Sequence, residues 1–255
     1  NLLSDSRFPV NDVTLWDQAY MTATMFKAAL AAIFLNSKKV KDYTDNPQSI
    51  KWRILGIQYD KLALAEKGLK PAHIQWYRKV SEEIDDEVKK IIELDYSLGN
   101  EIYRDETGIY FIVPENIASL SDGDLAELHP DLDEIKEEIL NTFKERAEDE
   151  FYPAIFLTKE SRGLMNLTYL LENAKKNFLK VDLSRKDQVK FEENKNYIGI
   201  CQVCGTRLVE ENDKREDEDF VCSACYKRGK GRVDNWVKDA ERETIWMGEL
   251  QDEKG

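Results

Sequence analysis

The chain has 255 residues, 42% of them hydrophobic, which is enough to bury the core of one large domain or two ordinary ones. Its formal net charge of −13 excludes a protein that coats nucleic acid by charge alone. No run approaches the roughly 18 consecutive apolar residues of a membrane span, and the first residues lack the basic-then-apolar order of a signal peptide. We therefore expect an intracellular, cytoplasmic protein.

Helix and strand patterns alternate along the first two thirds of the chain. Apolar residues at helical spacing predict a broad, well-buried helix over residues 11–35, with Asn11 or Asp12 as its N-cap. Residues 52–59 are apolar on both faces, which predicts a central strand. Further helices are predicted over about 71–94, 131–149 and 164–178, and further strands over 100–104, 109–113 and 154–158, with a hairpin turn at 105–108.

Two C-x-x-C pairs, Cys201 with Cys204 and Cys222 with Cys225, hold all four cysteines of the chain. Their spacing is that of a zinc ribbon, and zinc takes four thiolates in a tetrahedron. Two disulfides are the alternative, but the sequence context is not secretory. A site with four cysteine ligands leaves no open position for a substrate, so the pattern predicts a structural Zn²⁺ ion.

The elements from residue 52 to 158 follow the order β-α-β-β-α-β, which is that of a ferredoxin-like fold, whose antiparallel sheet carries two helices on one face. The chain lacks a starting Met and ends soon after a strand-like run, so we expect a fragment of a longer protein. We predict an α+β protein with four parts: an N-terminal helical segment (1–49), a ferredoxin-like domain (50–185), a zinc ribbon (186–243) and the start of a following strand or domain (244–255).

Three carboxylates occupy positions that matter in one class of ferredoxin-like proteins. In the palm of polymerases and nucleotide cyclases, carboxylates after the first strand and in the central hairpin bind two divalent metals. Asp60 follows the first predicted strand, and Asp105 and Glu106 lie in the predicted hairpin. A strand end and a solvated turn also explain these residues, and we favour that explanation over nucleotide or divalent-metal binding.

Several segments resemble, in the same order, the large subunit of type III CRISPR effector complexes. Residues 11–17 (NDVTLWD), running on to 26–30 (FKAAL), resemble the helix before that subunit's first palm. Residues 98–108 (LGNEIYRDETG) resemble the hairpin of that palm in a divergent branch of the family. The cysteine pairs and residues 244–246 (TIW) are similar to its zinc ribbon and the strand beyond it.

This resemblance implies a palm-polymerase subunit that converts ATP to cyclic oligoadenylate once the guide RNA of the complex pairs with target RNA. It implies ATP with Mg²⁺ or Mn²⁺ in the full-length protein, other CRISPR effector subunits as partners, and no membrane. The chain has neither the Gly-Gly-Asp-Asp hairpin of the catalytic palm nor the His-Asp doublet of the family's nuclease domain. We therefore expect a first, non-catalytic palm with its zinc ribbon, in a ferredoxin-like fold.

A basic cluster follows the last cysteine, and two explanations of it stay equally open. Lys227, Arg228, Lys230 and Arg232 bind RNA or a partner subunit, or they form a solvated loop.

Trp16 and Trp52 are predicted to lie in the core and His73 on a helix surface. Two other functions remain as alternatives: a stand-alone nucleotide cyclase or polymerase-like enzyme, and a zinc-ribbon module for protein interaction without nucleotide chemistry.

Overall fold

The computed structural model describes residues 14–35, 39–68, 71–119, 125–126, 128–176, 196–213 and 220–229. The chain divides into two compact units, the first formed by Asn1–Ala63 and Lys79–Val189 and the second by Leu64–Arg78 and Lys190–Gly255. Within the described ranges, no helix is long and apolar enough to cross a membrane.

Some predictions concern residues outside these ranges. They are the basic residues Lys230 and Arg232 and the strand-like run at residues 244–247. The predicted N-cap residues Asn11 and Asp12 also lie outside these ranges, and the prediction is wrong because the first described helix is capped by Thr14.

The first unit is built on a five-stranded antiparallel sheet. In chain order its strands are β1 (Trp52–Gln58), β2 (Asn100–Asp105), β3 (Gly108–Pro114), β4 (Leu125–Ala126) and β5 (Ala154–Thr158). They lie side by side in the order β2-β3-β1-β5-β4. The α+β class and the antiparallel sheet are thus confirmed.

In the described residues up to 176 the chain also forms six α-helices. They are α1 (Leu15–Phe34), α2 (Val40–Asp45), α3 (Lys61–Glu66), α4 (Pro71–Lys90), α5 (Asp133–Arg146) and α6 (Leu164–Lys176). A π-helical turn, Ile91–Asp95, extends α4. The sequence pattern did not predict α2, α3 or β4, because elements of two to six residues are too short to show a hydrophobic period.

Both faces of the sheet are buried. On one face, Ile54 of β1 packs with Leu167 and Leu171 of α6 in one apolar cluster. Gly56 lies on this same face, where a Cβ atom would come within 2.3 Å of the Phe156 ring. Glycine is therefore needed here so that the aromatic ring can lie flat against β1.

Alternate residues of the same strands cover the opposite face. Leu55, Ile57 and Phe111 are fully buried there. The Tyr59 ring, just beyond β1, packs edge-on against Phe143 of α5 at 4.9 Å between centroids. We attribute the cover of this face to α5 and to the part of α4 that belongs to the first unit.

Helix α1 contacts the sheet through small side chains, which corrects the prediction of a broad buried apolar face. Its N-cap is Thr14, whose hydroxyl accepts a hydrogen bond from the Asp17 backbone N–H, while the Asp17 carboxylate accepts one from the Thr14 N–H. The buried residues of the helix are Thr24, Ala28, Ala31 and Ala32. Small residues let a helix approach a sheet closely. The large side chains of α1 therefore lie outside its contact with the sheet.

The two tryptophans that were predicted to lie in the core differ in their burial. Trp16 is more than half exposed, so that prediction is wrong. Trp52 is partly buried against the α6 cluster, and its indole N–H donates to the Met25 carbonyl oxygen at 2.9 Å. Trp52 thereby ties β1 to α1.

The second unit contains a two-stranded antiparallel sheet of β6 (Tyr197–Ile200) and β7 (Leu208–Glu210), followed by α7 (Ser223–Gly229). Its small core consists of the four cysteines with Val203 and Val209. Residues 71–78, the first turns of α4, also belong to this unit.

Candidate metal centre

The four cysteines come together in one buried cluster. Each is at least 97% buried, all four are free thiols, and their sulfur atoms lie within 4.8 Å of one another. A tetrahedral zinc site with Zn–S bonds of about 2.3 Å has its sulfurs about 3.8 Å apart, so a small contraction suffices to close this cluster on an ion. The four thiols could therefore hold a metal ion.

Local backbone geometry brings the first cysteine pair into position. Gly205 adopts φ +67°, in the left-handed region, and its N–H donates to the Cys201 carbonyl oxygen at 2.9 Å. This turn directs both thiols of the pair to the same side. The second pair is joined to the first because the Cys222 N–H donates to Cys201 Sγ at 3.3 Å. This hydrogen bond holds the two pairs together at the site.

Hydrogen bonds among the thiols make their ionisation unequal. The Cys222 and Cys225 thiols donate to Cys204, which lowers the pKa of Cys204 far below its ordinary value. The hydrogen bond to Cys204 raises the pKa of Cys222 to about 11, and the bonds to Cys204 and Cys222 raise that of Cys225. A zinc ion would stabilise all four thiolates, because metal coordination deprotonates a thiol outright.

A histidine from α4 lies against this cluster, which corrects the prediction that His73 is a surface residue. His73 is 3% exposed, and its Nε2–H donates to the Cys225 carbonyl oxygen at 3.1 Å. A Cβ atom on Gly229 would lie 2.8 Å from the same ring nitrogen. One sequence signal could have revealed this burial, since His73 precedes Tyr77 by four residues on the apolar stripe of α4.

Two of the three carboxylates that the sequence offers for nucleotide or divalent-metal binding have other partners in this structure. Asp60 caps α3, because its Oδ1 accepts from the Ala63 N–H at 2.8 Å. Glu106 lies exposed in the β2–β3 turn. Asp105 Oδ2 lies 2.6 Å from Lys175 Nζ in an ion pair. Of the described residues, the four cysteines are the one group of three or more His, Cys, Asp or Glu side chains placed to hold a metal.

The environment of Asp105 stabilises its charge. Partial burial opposes ionisation, but hydrogen bonds from the Lys175 ammonium and from the hydroxyl and N–H of Thr107 outweigh it and lower the pKa of Asp105. The Lys175 ammonium also lies 5.1 Å above the Tyr103 ring and 5.7 Å above the Tyr110 ring. A lysine thus supplies the positive charge beside this carboxylate.

A second buried network lies behind the same hairpin, and sequence analysis did not find it. Asp85 is almost fully buried and accepts hydrogen bonds from Lys61 Nζ at 2.5 Å and Tyr59 OH at 2.8 Å. Lys61 Nζ also donates to the Asp105 carbonyl oxygen at 2.8 Å. Burial raises the pKa of Asp85, although Lys61 and Tyr59 favour its charged form.

The described part of the basic cluster is at the end of α7. The Arg228 guanidinium stacks on the Trp76 ring, 3.2 Å from its centroid, in a cation–π contact. Lys227, one residue earlier in α7, is exposed. Arg228 is therefore held against α4, and this packing reduces its freedom to reach a phosphate.

In comparisons with known proteins, the chain matches no family model, none of the curated proteins and none of the solved structures.

Proposed function

We propose that this chain is a non-catalytic palm domain with a structural zinc ribbon in the large subunit of a type III CRISPR antiviral effector complex. The order of the four long strands supports the palm assignment. In a ferredoxin-like sheet the fourth strand lies beside the first, the first beside the third and the third beside the second. Strands β5, β1, β3 and β2 follow this order, with α4 and α5 in the two connections.

The pairing of Asp105 with Lys175 is the observation that carries the non-catalytic role. Asp105 lies in the central hairpin, where an active palm presents a metal-binding carboxylate. The Lys175 ammonium already neutralises it at 2.6 Å, so a divalent cation would have to displace a lysine. Asp60, the candidate after β1, is engaged by the backbone of α3. The domain is therefore suited to form one wall of an ATP pocket whose catalytic groups come from another domain.

The four-cysteine cluster supports the zinc assignment. Four buried thiols with no further ligand form a closed site, and closed zinc sites stabilise folds without binding substrate. In this proposal Zn²⁺ is structural, whereas Mg²⁺ or Mn²⁺ binds together with ATP in the full-length subunit. In this proposal guide RNA and target RNA are partners through that cytoplasmic complex.

The decisive experiment is purification of the intact parent protein from its own operon in mild salt. Sequencing of bound RNA and mass spectrometry of co-purifying proteins are the measurements. We expect short RNAs with a uniform 5′ end together with other CRISPR effector subunits. A lone protein without RNA would overturn the proposal.

An ATP assay separates the two alternatives. A stand-alone nucleotide enzyme would turn over ATP with Mg²⁺ or Mn²⁺ and lose this activity in Asp60→Ala and Asp105→Ala. A zinc-ribbon interaction module would neither bind ATP nor carry RNA. In our proposal the 255-residue chain alone does not turn over ATP, and the assembled complex does so when target RNA is added.

A further inference from the structure

The ammonium group of Lys61 lies at the base of the β2–β3 hairpin and is surrounded by oxygen atoms. Lys61 is the first residue of α3. Its Nζ donates to Asp85 Oδ2 at 2.5 Å, to the Asp105 carbonyl oxygen at 2.8 Å and to the Gly108 carbonyl oxygen at 3.4 Å. An ammonium group has three N–H donors and no acceptor, so each donor finds an oxygen here. We call these three acceptors the hairpin oxygens.

The backbone places the carbonyl oxygens of this group without help from the Lys61 side chain. The Tyr59 N–H donates to the Thr107 carbonyl oxygen at 3.0 Å, and the Lys61 N–H donates to the Glu106 carbonyl oxygen at 2.9 Å. The segment after β1 is thereby joined to the hairpin turn at two points. Gly108 permits the close approach, because a Cβ atom there would lie 2.4 Å from a carbonyl oxygen of β1. The hairpin oxygens should therefore keep their places when the Lys61 side chain is shortened.

Asp85 supplies the negative charge of the group. It is 2% exposed, and a buried carboxylate is costly without a cation beside it. Arg104 Nε lies 3.8 Å from Asp85 Oδ2. Its guanidinium, however, donates to Glu101 and Asp86 at 2.8–3.0 Å. Lys61 is thus the cation that Asp85 binds at hydrogen-bonding distance.

The hairpin oxygens suit a monovalent cation of about the size of ammonium. Their single carboxylate balances one positive charge. Mg²⁺ demands a near-ideal octahedron of oxygens at about 2.0–2.1 Å, and Ca²⁺ takes about six to eight oxygens at about 2.3–2.6 Å. Three oxygens at 2.5–3.4 Å from the nitrogen meet neither requirement. Backbone carbonyls replace the hydration shell of K⁺ in other proteins, so K⁺ and NH₄⁺ are the free ions that fit.

From these observations we infer that the hairpin oxygens form a monovalent-cation site, which Lys61 fills as a tethered ammonium. Because this cation is part of the chain, the hairpin that carries Asp105 is held on β1 without an ion from solution. Shortening of Lys61 should open the site to K⁺ or NH₄⁺. This inference goes beyond the proposed function and does not depend on it.

Urea unfolding of the 255-residue chain in different chloride salts of equal ionic strength tests the inference. The measured quantity is the difference in urea midpoint between Lys61→Ala and the wild type in the same salt, which removes general salt effects. In choline chloride, whose cation is too bulky for the site, Lys61→Ala should unfold at a lower urea concentration than the wild type. K⁺ or NH₄⁺ should restore about half of this loss or more, in a saturable manner, as expected for an ion that binds only the folded state.

Lys61→Met is the matched control, because its unbranched side chain fills the same space without a charge. It should also lose stability, but K⁺ and NH₄⁺ should restore none of it. Asp85→Asn added to Lys61→Ala should abolish the salt response as well, since it removes the charge that holds the ion. Hydrogen exchange in β2 and β3 of Lys61→Ala should slow when K⁺ or NH₄⁺ replaces choline, which places the effect at the hairpin.

Three results would overturn the inference: no loss of stability in Lys61→Ala, a loss of the same size in every salt, or equal recovery of the Ala and Met variants. If Lys61→Ala is unfolded in choline chloride, far-UV CD replaces the urea titration. Folding on addition of NH₄⁺ or K⁺ then supports the site, and a chain that stays unfolded in every salt overturns it.

Discussion

The His73 imidazole donates from Nε2 to the carbonyl oxygen of Cys225 at 3.1 Å, although the two residues are 152 positions apart in the chain. His73 belongs to the first turns of α4, and Cys225, one of the four clustered cysteines, lies in α7. A second contact joins the same elements, because the Arg228 guanidinium stacks on Trp76. Within the second unit, the cysteine cluster and residues 71–78 therefore pack as one body.

Removal of the metal should loosen residues 71–78 as well as the cysteine region. We expect one zinc per chain by elemental analysis, because four thiolates form a single closed site. Zinc binding supplies folding free energy to such small units. After chelation, hydrogen exchange should therefore accelerate in β6, β7, α7 and residues 71–78. Cys225→Ser should have the same effect without a chelator. A metal-free chain with unchanged exchange in these segments would contradict the zinc assignment.

His73→Ala should weaken zinc binding without removing a ligand. Groups that orient metal ligands typically contribute 10–100-fold in metal affinity, and we expect about tenfold here because His73 holds only a backbone carbonyl. Competition with a chromogenic chelator measures the affinity, and hydrogen exchange of residues 71–78 reports the local loosening. His129→Ala, at the other and more exposed histidine, is the matched control. Equal zinc affinity in the wild type and His73→Ala would show that this hydrogen bond does not position the site.

Lys175→Met should destabilise the first unit. It leaves the partly buried Asp105 carboxylate without its ammonium partner, whose Nζ lies 2.6 Å away. Breaking a fully buried ion pair from one side costs about 3–5 kcal/mol, and we expect about 2 kcal/mol because this pair keeps some contact with solvent. Urea unfolding measures the change. Lys79→Met, which removes an exposed lysine from an i,i+4 pair, should change stability by less than about 0.5 kcal/mol.

Asp105→Asn should reduce the loss of stability in acid. The pKa of Asp105 is lowered in the folded state, so its ionised form contributes stability above the ordinary carboxyl pKa. That contribution disappears as the pH falls through the folded-state value. The wild type should therefore lose more stability than the variant between about pH 5 and pH 2. Parallel pH profiles of the two proteins would refute the role of this ion pair.

Gly99→Ala should be strongly destabilising because of backbone contact alone. A Cβ atom at this position would lie 1.8 Å from the Ile112 carbonyl oxygen, so β2 and β3 would have to separate locally. We expect about 3 kcal/mol or more in chemical unfolding. Gly163→Ala is the matched control, since its nearest atom is 3.8 Å away, and it should be neutral or slightly stabilising. Similar unfolding midpoints for the two variants would contradict this account.

The four long strands, the α4 and α5 connections and the cysteine cluster could be predicted because each has a local signal. Strand β1 is an apolar run, the hairpin has a turn with Gly108 at its end, and α4 begins at Pro71 as expected. The short elements α2, α3 and β4 could not be predicted, since they have too few residues to show a hydrophobic period. Of the site residues, the cysteines could be predicted from their spacing.

The sequence by itself determined the features that depend on residue spacing. These are the four thiols in two C-x-x-C pairs and the hydrophobic periods of the long helices and strands. Only the tertiary structure decided which partner each side chain meets. Lys175 neutralises Asp105 from 70 residues away, and His73 contacts Cys225 from 152 residues away. Helix α1 buries Ala28, Ala31 and Ala32 and leaves Trp16 exposed. Periodicity predicts that a helix has an apolar face. Close packing against a particular sheet determines which face is buried.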